Sequence, residues 1–527
     1  MGAGLALPFA SGSPELGRGP LTEKPMPDTP DNPFRGKSVA VVGLARSGLA
    51  CCDVLTRLGA RVVPYDGKPA SEIAGAVAEV EALGLTPIVG GAALDYAELD
   101  YLVTSPGVRK SAPVLQSAVA AGVPVLGEIE AAYRIARAPI LAITGTNGKT
   151  TTAVLLGEML RAAGIETYVA GNIAAGDIAL PLIRAAFEAS ASAAIVAEIS
   201  SFQLEWISTF RPRVAALLNI TPDHGDRQTW GEYVAAKWRI FEYQTAEDFA
   251  VWDWSLFKGE RFGDYYTKTD PAVNLSTVIS PQSGLHPGDL GEEHSVYVRG
   301  GELVVEDSSL ADGFAPGRVH RICGASEVKL PGAHNLENIM AAAAMATAFG
   351  VGIEPIRQVA TTFTGVVHRL EYVETIDGVR YVNNSMCTNA AAFAKSLEAL
   401  PEPKVVIAGG VYKGDDVAAL GEAVAAQNVR ALVLIGRSAP EIEASARAAG
   451  FTNTARAGTM AEAVGAARAE ALRGDTVLLA PACASFDMFR DFEDRGDQFK
   501  AAVQGLGEEP LPAGKPGATA PDATLPC

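Results

Sequence analysis

Short, wholly apolar runs alternate along this chain with longer stretches in which apolar positions return every three or four residues. The runs "SVAVVGL", "RVVPYD", "YLVTSPG", "APILAIT", "SAAIVAEIS" and "VAALLNIT" are rich in Val, Ile and Leu and mostly close on Gly, Pro, Asp or Asn, which predicts strands buried on both faces. Between them "SGLACCDVLTRLG" and "TTAVLLGEMLRAAG" carry the helical period. The alternation resumes near the end in "KVVIAGG", "ALVLIGR" and "DTVLLAPA", each beside an alanine-rich helical stretch. Strand followed by helix, over and over, predicts α/β domains on mostly parallel sheets, because a parallel pair needs a long crossover and a helix supplies it. No unit recurs at a fixed period.

Composition narrows this picture. A length of 527 residues with 48% hydrophobic content suits about three domains. Residues 1–34 and 507–527 are rich in Pro, Gly and Ala with few large apolar side chains, so disordered tails are expected there. The six cysteines (Cys51, Cys52, Cys323, Cys387, Cys483, Cys527) form no C-x-x-C pair and no signal-peptide pattern leads the chain, which points to a reduced, cytoplasmic setting. No apolar run approaches the ~18 residues of a membrane span. With 43 basic against 61 acidic residues, the net charge of −18 disfavours nucleic acid or an anionic membrane as a partner. An anionic substrate would have to be met by local cations or backbone amides.

Two loops offer such sites. In "VAVVGLARSG", Gly43, Ser47 and Gly48 lie on a strand-to-helix turn, and Asp66 ends the next strand 23 residues after Gly43, the layout of a dinucleotide-binding βαβ unit. Ala45 stands where that pattern has its middle glycine, so a tight turn and a helix N-terminus suited to any anion, or none, is the simpler reading. The diphosphate of a nucleotide-sugar would suit the same amides. "TSPGV" adds Ser105, Pro106 and Gly107 in a turn after another strand, where α/β sheets hold ligands. The second loop, "AITGTNGKTT", joins a strand to a helix through Gly145, Thr146, Asn147, Gly148, Lys149, Thr150 and Thr151. Its amides and helix dipole can cradle the β and γ phosphates of ATP, with the Lys149 ammonium above them and the Thr150 hydroxyl on Mg²⁺. Ile143 occupies the first glycine position of G-x-x-x-x-G-K-[ST], so the spacing is not the usual one. Glu198 ends the strand "AAIVAEIS", where a carboxylate can share that Mg²⁺ with Thr150.

"TGTNGKTT", "EISSFQL", "NITPDHGDR", "GAHNLENIMAAAA", "HRLEYV" and "APACASFDMFRDFEDRGDQF", in this order over some 460 residues, together resemble the Mur ligase family, and within it the branch that adds D-glutamate to UDP-N-acetylmuramoyl-L-alanine. The resemblance implies three α/β domains: a Rossmann-like UDP-substrate domain over 35–138, a central P-loop-like ATPase domain over 139–366 and a Rossmann-like amino-acid domain over 367–506. It implies an ATP- and Mg²⁺-dependent ligase acting through an acyl phosphate in peptidoglycan precursor synthesis, as a monomer. Carried over residue by residue, it makes Ser200, Gln203 and Asn172 substrate contacts. His224 becomes a ligand of a second Mg²⁺, and Lys237 a carbamate on that metal, although a lone histidine after a strand and a lysine on an amphipathic helix otherwise read as a cap and a solvated cation. Asn335 and Asn338, on one helical face, would meet adenine. Arg369, at a domain boundary, would close on phosphate. Asn384 would meet the ribose, and Thr388, Lys413, Ser485 and Phe492 would bind glutamate.

The segment "YVNNSMCTNAA" departs from the family pattern N-D-S-K-A-T-N: Asn384 replaces an aspartate, Met386 a lysine and Cys387 an alanine, and Tyr412 replaces a further aspartate in "GGVYKGDD". These departures leave open a ligase for another amino acid or a non-catalytic nucleotide-binding protein. A nicotinamide oxidoreductase would rest on "GLARSG" and Asp66 and leave the phosphate loop unused.

Overall fold

The computed structural model describes residues 32–172, 180–221, 228–253, 274–279, 294–307, 318–330, 333–388, 390–400, 402–412 and 417–506. The first sheet holds β1 (Ser38–Val42), β2 (Arg61–Asp66), β3 (Ile88–Val89), β4 (Tyr101–Thr104) and β5 (Val125–Gly127) in the order β3-β2-β1-β4-β5, with every pairing parallel. The chain reverses direction across the sheet between β1 and β4, and "GLARSG" and "TSPGV" leave the ends of these two neighbours. That is the switch point at which open α/β sheets bind ligands.

Nine described strands form the second sheet: β6 (Ile140–Thr144), β7 (Thr167–Gly171), β8 (Ala194–Glu198), β9 (Val214–Leu217), β10 (Phe249–Asp253), β11 (Asn274–Ile279), β12 (His294–Arg299), β13 (Glu302–Asp307) and β14 (Arg318–Gly324). Their order is β14-β13-β12-β11-β10-β9-β6-β8-β7, and pairing is parallel except for the β12–β13–β14 meander at one edge. β6 and β8 are both fully buried, as apolar runs covered on two faces must be. Helix Lys149–Ala162 packs against the alanine-rich helix Ala333–Ala348, whose Ala341 to Ala344 are all buried; their small side chains permit the close approach.

The third sheet contains β15 (Glu371–Ile376), β16 (Val379–Asn383), β17 (Lys404–Gly409), β18 (Val429–Ile435), β19 (Thr454–Arg456) and β20 (Thr476–Leu479) in the order β15-β16-β20-β17-β18-β19, antiparallel only at β15.

The first and second sheets share one apolar cluster that runs from Val39 and Leu55 to Leu182, Ile183 and Phe210. Glu130, fully buried, pins this junction by accepting from the backbone N–H groups of Ser208 (2.9 Å), Thr209 (3.0 Å) and Phe210 (2.9 Å). Burial pushes the Glu130 pKa up, but the Ser208 N–H, the Thr209 hydroxyl and N–H and the Arg134 guanidinium outweigh it and hold the carboxyl below its ordinary value. The same cluster corrects the sequence reading at one end. Phe34, assigned there to the tail, is fully buried in the first core, and Asn32 donates to Leu58 O (2.7 Å), so the folded chain includes both.

Candidate active site

β6 delivers the chain to the loop 145–148, and the helix starts at Lys149. Gly145 and Gly148 lie at φ +152° and +83°, and a Cβ at Gly148 would come within 2.2 Å of Asn338 Oδ1, so glycine is required there on both counts. Asn219, which follows β9, clamps the loop from both sides: its Oδ1 accepts from Asn147 N (2.9 Å) and its Nδ2 donates to Asn147 O (3.1 Å). Thr146 is buried against Tyr233, with 2.9 Å between the two hydroxyl oxygens, and donates to Thr221 O (3.1 Å).

Two lysines converge on this loop. Lys149 Nζ donates to Gly145 O (3.0 Å) and Thr146 O (2.9 Å), and Lys237 Nζ donates to the same Gly145 carbonyl (2.7 Å). Lys237 is 2% exposed and its ammonium lies 4.6 Å from the centre of the Tyr233 ring. The helix that carries it, Trp230–Trp238, begins with a Thr229–Glu232 capping box. The solvated lysine suggested by amphipathic periodicity is therefore a buried one.

At the first turn of the loop's helix, Thr150 Oγ1 donates to Glu198 Oε2 at 2.6 Å and accepts from Arg369 Nη1 at 2.9 Å. Both Thr150 and Glu198 are buried. Much of the Arg369 residue surface is open, but its guanidinium end reaches in among protein atoms; burial there lowers its pKa and the Glu198 charge opposes the shift. One hydroxyl thus joins the loop, the end of β8 and the chain entering the third sheet. A carboxylate and a hydroxyl this close are hard oxygen donors suited to Mg²⁺, which keeps several waters and needs few protein ligands when phosphates supply the rest. Among the described residues no group of three or more His, Cys, Asp or Glu side chains is placed to hold a metal ion.

Immediately beyond Glu198, Ser200 and Gln203 close a capping box, with Gln203 Oε1 accepting from Ser200 N (2.9 Å) and Ser200 Oγ (3.0 Å). Asn172 N donates to Glu198 O (2.8 Å), which brings Asn172 beside the same strand end. Asn335 and Asn338 do share a face: Asn338 Nδ2 donates to Asn335 Oδ1 (3.1 Å), and Thr152 Oγ1 donates to Asn338 Oδ1 (3.3 Å). Asn338 lines a 420 Å³ cavity with Gly148, Leu218, Trp252 and Glu337, and Ala399 of the third domain contributes to it. Trp252 carries no motif, so sequence reasoning had no signal for it, and Glu337 stands within "GAHNLENIMAAAA" without having been singled out.

In the first domain, Gly43 lies at φ +90° and a Cβ at Gly48 would sit 1.8 Å from Gly43 O. Ala45, extended at φ −86°, tolerates its Cβ and offers no side-chain cap, leaving the helix N-terminus at Arg46, Ser47 and Gly48 to other acceptors. Asp66 accepts from Leu44 N (2.9 Å) and Lys68 N (3.0 Å), and Ser105 Oγ donates to Gly43 O (2.7 Å), so both shape the turn; Pro106 and Gly107 follow Ser105 on the β4 side. Glu128, which the sequence reading missed, is buried between the first and second domains and accepts from Ile183 N (2.8 Å). Burial raises its pKa to about 7, against the pull of Ile183 N, Gln203 and Arg46.

The third domain gathers its candidates around Arg495. This fully buried arginine donates to Ser385 Oγ (2.9 Å), Ser385 O (2.7 Å) and Cys483 O (2.9 Å), tying the segment that carries Thr388 to the one that carries Ser485, while burial lowers its own pKa to about 10. Phe492 sets its ring edge-on to His368, with 6.2 Å between centroids. Asn384 is 6% exposed, its Oδ1 accepts from Leu370 N (3.2 Å) and its Nδ2 donates to Ser396 Oγ (2.6 Å). Met386 packs against the apolar cluster of the second domain. His224 and Lys413 lie outside the described residues.

Residues 37–127 match the Mur ligase MurD-like N-terminal domain, 143–261 the Mur ligase middle domain, and 368–483 the Mur ligase glutamate ligase domain. A protein of Pelotomaculum thermopropionicum is 42% identical over 476 residues, covering 90% of this chain and 98% of its own. Another, of Trichlorobacter lovleyi, is 42% identical over 480 residues, covering 90% of this chain and all of its own. Both are named UDP-N-acetylmuramoylalanine--D-glutamate ligase.

Proposed function

The chain belongs to the Mur ligase family, and from that premise we propose that it joins D-glutamate to UDP-N-acetylmuramoyl-L-alanine in an ATP-dependent reaction, a step in peptidoglycan precursor synthesis. The observation that carries the reading is the Thr150 hydroxyl, held 2.6 Å from Glu198 and 2.9 Å from Arg369 at the start of the phosphate loop's helix.

A carboxylate is a poor electrophile, so amide formation has to begin by making it one. In this reading an oxygen of the alanyl carboxylate forms a bond to the γ-phosphorus while the bond to ADP breaks; the glutamate amine then attacks the acyl carbon and inorganic phosphate leaves. The chain's part is positioning and neutralisation of crowded negative charge. Loop amides between Gly145 and Lys149 cradle the phosphates, and the Lys149 ammonium exchanges its two loop carbonyls for phosphate oxygens. Arg369 supplies a second cation from the third domain. Asn338, on the wall of the cavity, and Asn335, bonded to it, meet the adenine. Thr150 and Glu198 would hold Mg²⁺, which supplies Lewis-acid charge neutralisation when bound. Lys237, as a carbamate, and His224 would serve a second ion.

The UDP diphosphate sits at the helix N-terminus at Arg46, below the turn braced by Asp66 and Ser105, with Ser47, Pro106, Gly107, Asn172, Ser200 and Gln203 along the path to Glu198. Thr388, Lys413, Ser485 and Phe492 receive the amino acid. No helix among the described residues is long and apolar enough to cross a membrane, and the working unit in this reading is a cytoplasmic monomer. Phosphate release with UDP-N-acetylmuramoyl-L-alanine and a panel of D-Glu, D-Asp, L-Glu and neutral amino acids tests the assignment, with D-Glu expected to lead; a neutral amino acid leading, or no dependence on the UDP-substrate, rejects it.

A further inference from the structure

Arg369 reaches Thr150 from a turn of unusual backbone. His368 and Leu370, on either side of it, lie at φ +62° and +45°, a region that side-chain-bearing residues keep only where their surroundings hold them. Three hydrogen bonds do the holding: His368 N to Glu371 Oε2 (2.8 Å), Met386 N to His368 O (3.1 Å) and Leu370 N to Asn384 Oδ1 (3.2 Å). The Asn384 amide has a forced orientation, because Leu370 N–H demands an acceptor; the NH₂ group therefore faces Ser396 Oγ at 2.6 Å. Ser396 in turn donates to Ala392 O (2.5 Å) on helix Ala390–Glu398, whose Phe393 and Leu397 are fully buried in the third-domain core. A continuous chain of bonds thus runs from that core through Asn384 to the backbone on the C-terminal side of Arg369. Met386, two residues further along, packs on the second domain and presses the same segment against it.

We propose that Asn384 is a positioning residue for the ligase reaction: it clasps the left-handed turn to the third-domain core and so sets the reach of Arg369 to Thr150. The proposal rests on the reading of Thr150 and Glu198 as the phosphate and cation site. Asn384→Ala removes the acceptor for Leu370 N, whereas Asn384→Asp keeps it, with the Ser396 hydroxyl turning to donate.

The test compares both variants, alone and combined with Arg369→Ala, by kcat, by KM for ATP and 2′-deoxy-ATP, and by hydrogen exchange over residues 366–371. Asn384→Ala is expected to lower kcat about tenfold and to speed exchange at Leu370, while Asn384→Asp retains most of the activity and the protection. In the Arg369→Ala background, Asn384→Ala should add less than about twofold, since the clasp acts through that arginine. An undiminished loss in that background overturns the proposal. So does a loss confined to KM for ATP and absent with 2′-deoxy-ATP, which would make Asn384 a ribose contact. If the wild-type protein releases no phosphate, hydrogen exchange separates the two ideas: faster exchange in Asn384→Ala alone keeps the clasp and discards the ligase reading, and equal exchange in all three proteins discards the clasp.

Discussion

Replacing Thr150 by valine tests the centre of the site with little change in shape. Valine is β-branched like threonine, so helix Lys149–Ala162 keeps its first turn, and only the hydroxyl is lost. That hydroxyl donates 2.6 Å to a carboxylate 3% exposed and accepts 2.9 Å from a guanidinium. A hydrogen bond to a charged group is worth about 1.5–3 kcal/mol, and the buried carboxylate is left short of a donor, so Thr150→Val should lose about 1–3 kcal/mol of stability. If the same oxygen also orients the cation that neutralises phosphate, the catalytic loss is larger, about 10²-fold or more in kcat/KM for ATP. Thermal melting and phosphate release on wild type, Thr150→Val and Thr150→Ser separate the terms. Thr150→Ser, which restores the oxygen, should recover most of the activity. Should Thr150→Val turn over within about twofold of Thr150→Ser, the hydroxyl has no catalytic part and the assignment of this loop fails.

Lys149→Ala should abolish ATP-dependent phosphate release, by ~10²-fold or more, while UDP-substrate binding followed by calorimetry persists, because that site belongs to another domain. Lys237→Ala should be inactive and partly restored by short-chain carboxylic acids if a carbamate is the working form; full activity without rescue would remove that role. Glu128 gives a pH signature of definite sign. Its carboxyl titrates at about 7 in the folded protein against an ordinary 4.5, so the folded state binds more protons between those values and stability falls as pH rises through that window. The shift corresponds to about 3 kcal/mol at most, and Glu128→Gln should flatten that part of the melting-temperature profile between pH 5 and 8; an unchanged slope would show that other groups carry it.

The sequence by itself determined the alternation of buried strands and helices, because a strand covered on both faces has to be apolar throughout and leaves that mark wherever it occurs. It determined the glycine loop between β6 and its helix as well, since a backbone turning at positive φ beside a helix N-terminus requires glycines, and Gly145 and Gly148 stand where that backbone does. It also located Glu198, because a carboxylate ending an apolar run is visible without knowing its neighbours. What it could not reach depends on contacts between segments far apart in the chain. Phe34 reads as tail because its partners in the first core lie elsewhere in the sequence. Lys237 reads as a surface cation because its helix period says nothing of Gly145, 92 positions away. Glu128 shows no motif, and only the closing of the first domain on the second buries it and raises its pKa. Asn384 reads as a cofactor contact by its place in a motif, and only the fold shows that its amide also bridges the turn at Leu370 to helix Ala390–Glu398. Local pattern records what each segment must bury; tertiary structure decides which polar groups are left to meet a substrate and which are consumed in holding the domains together.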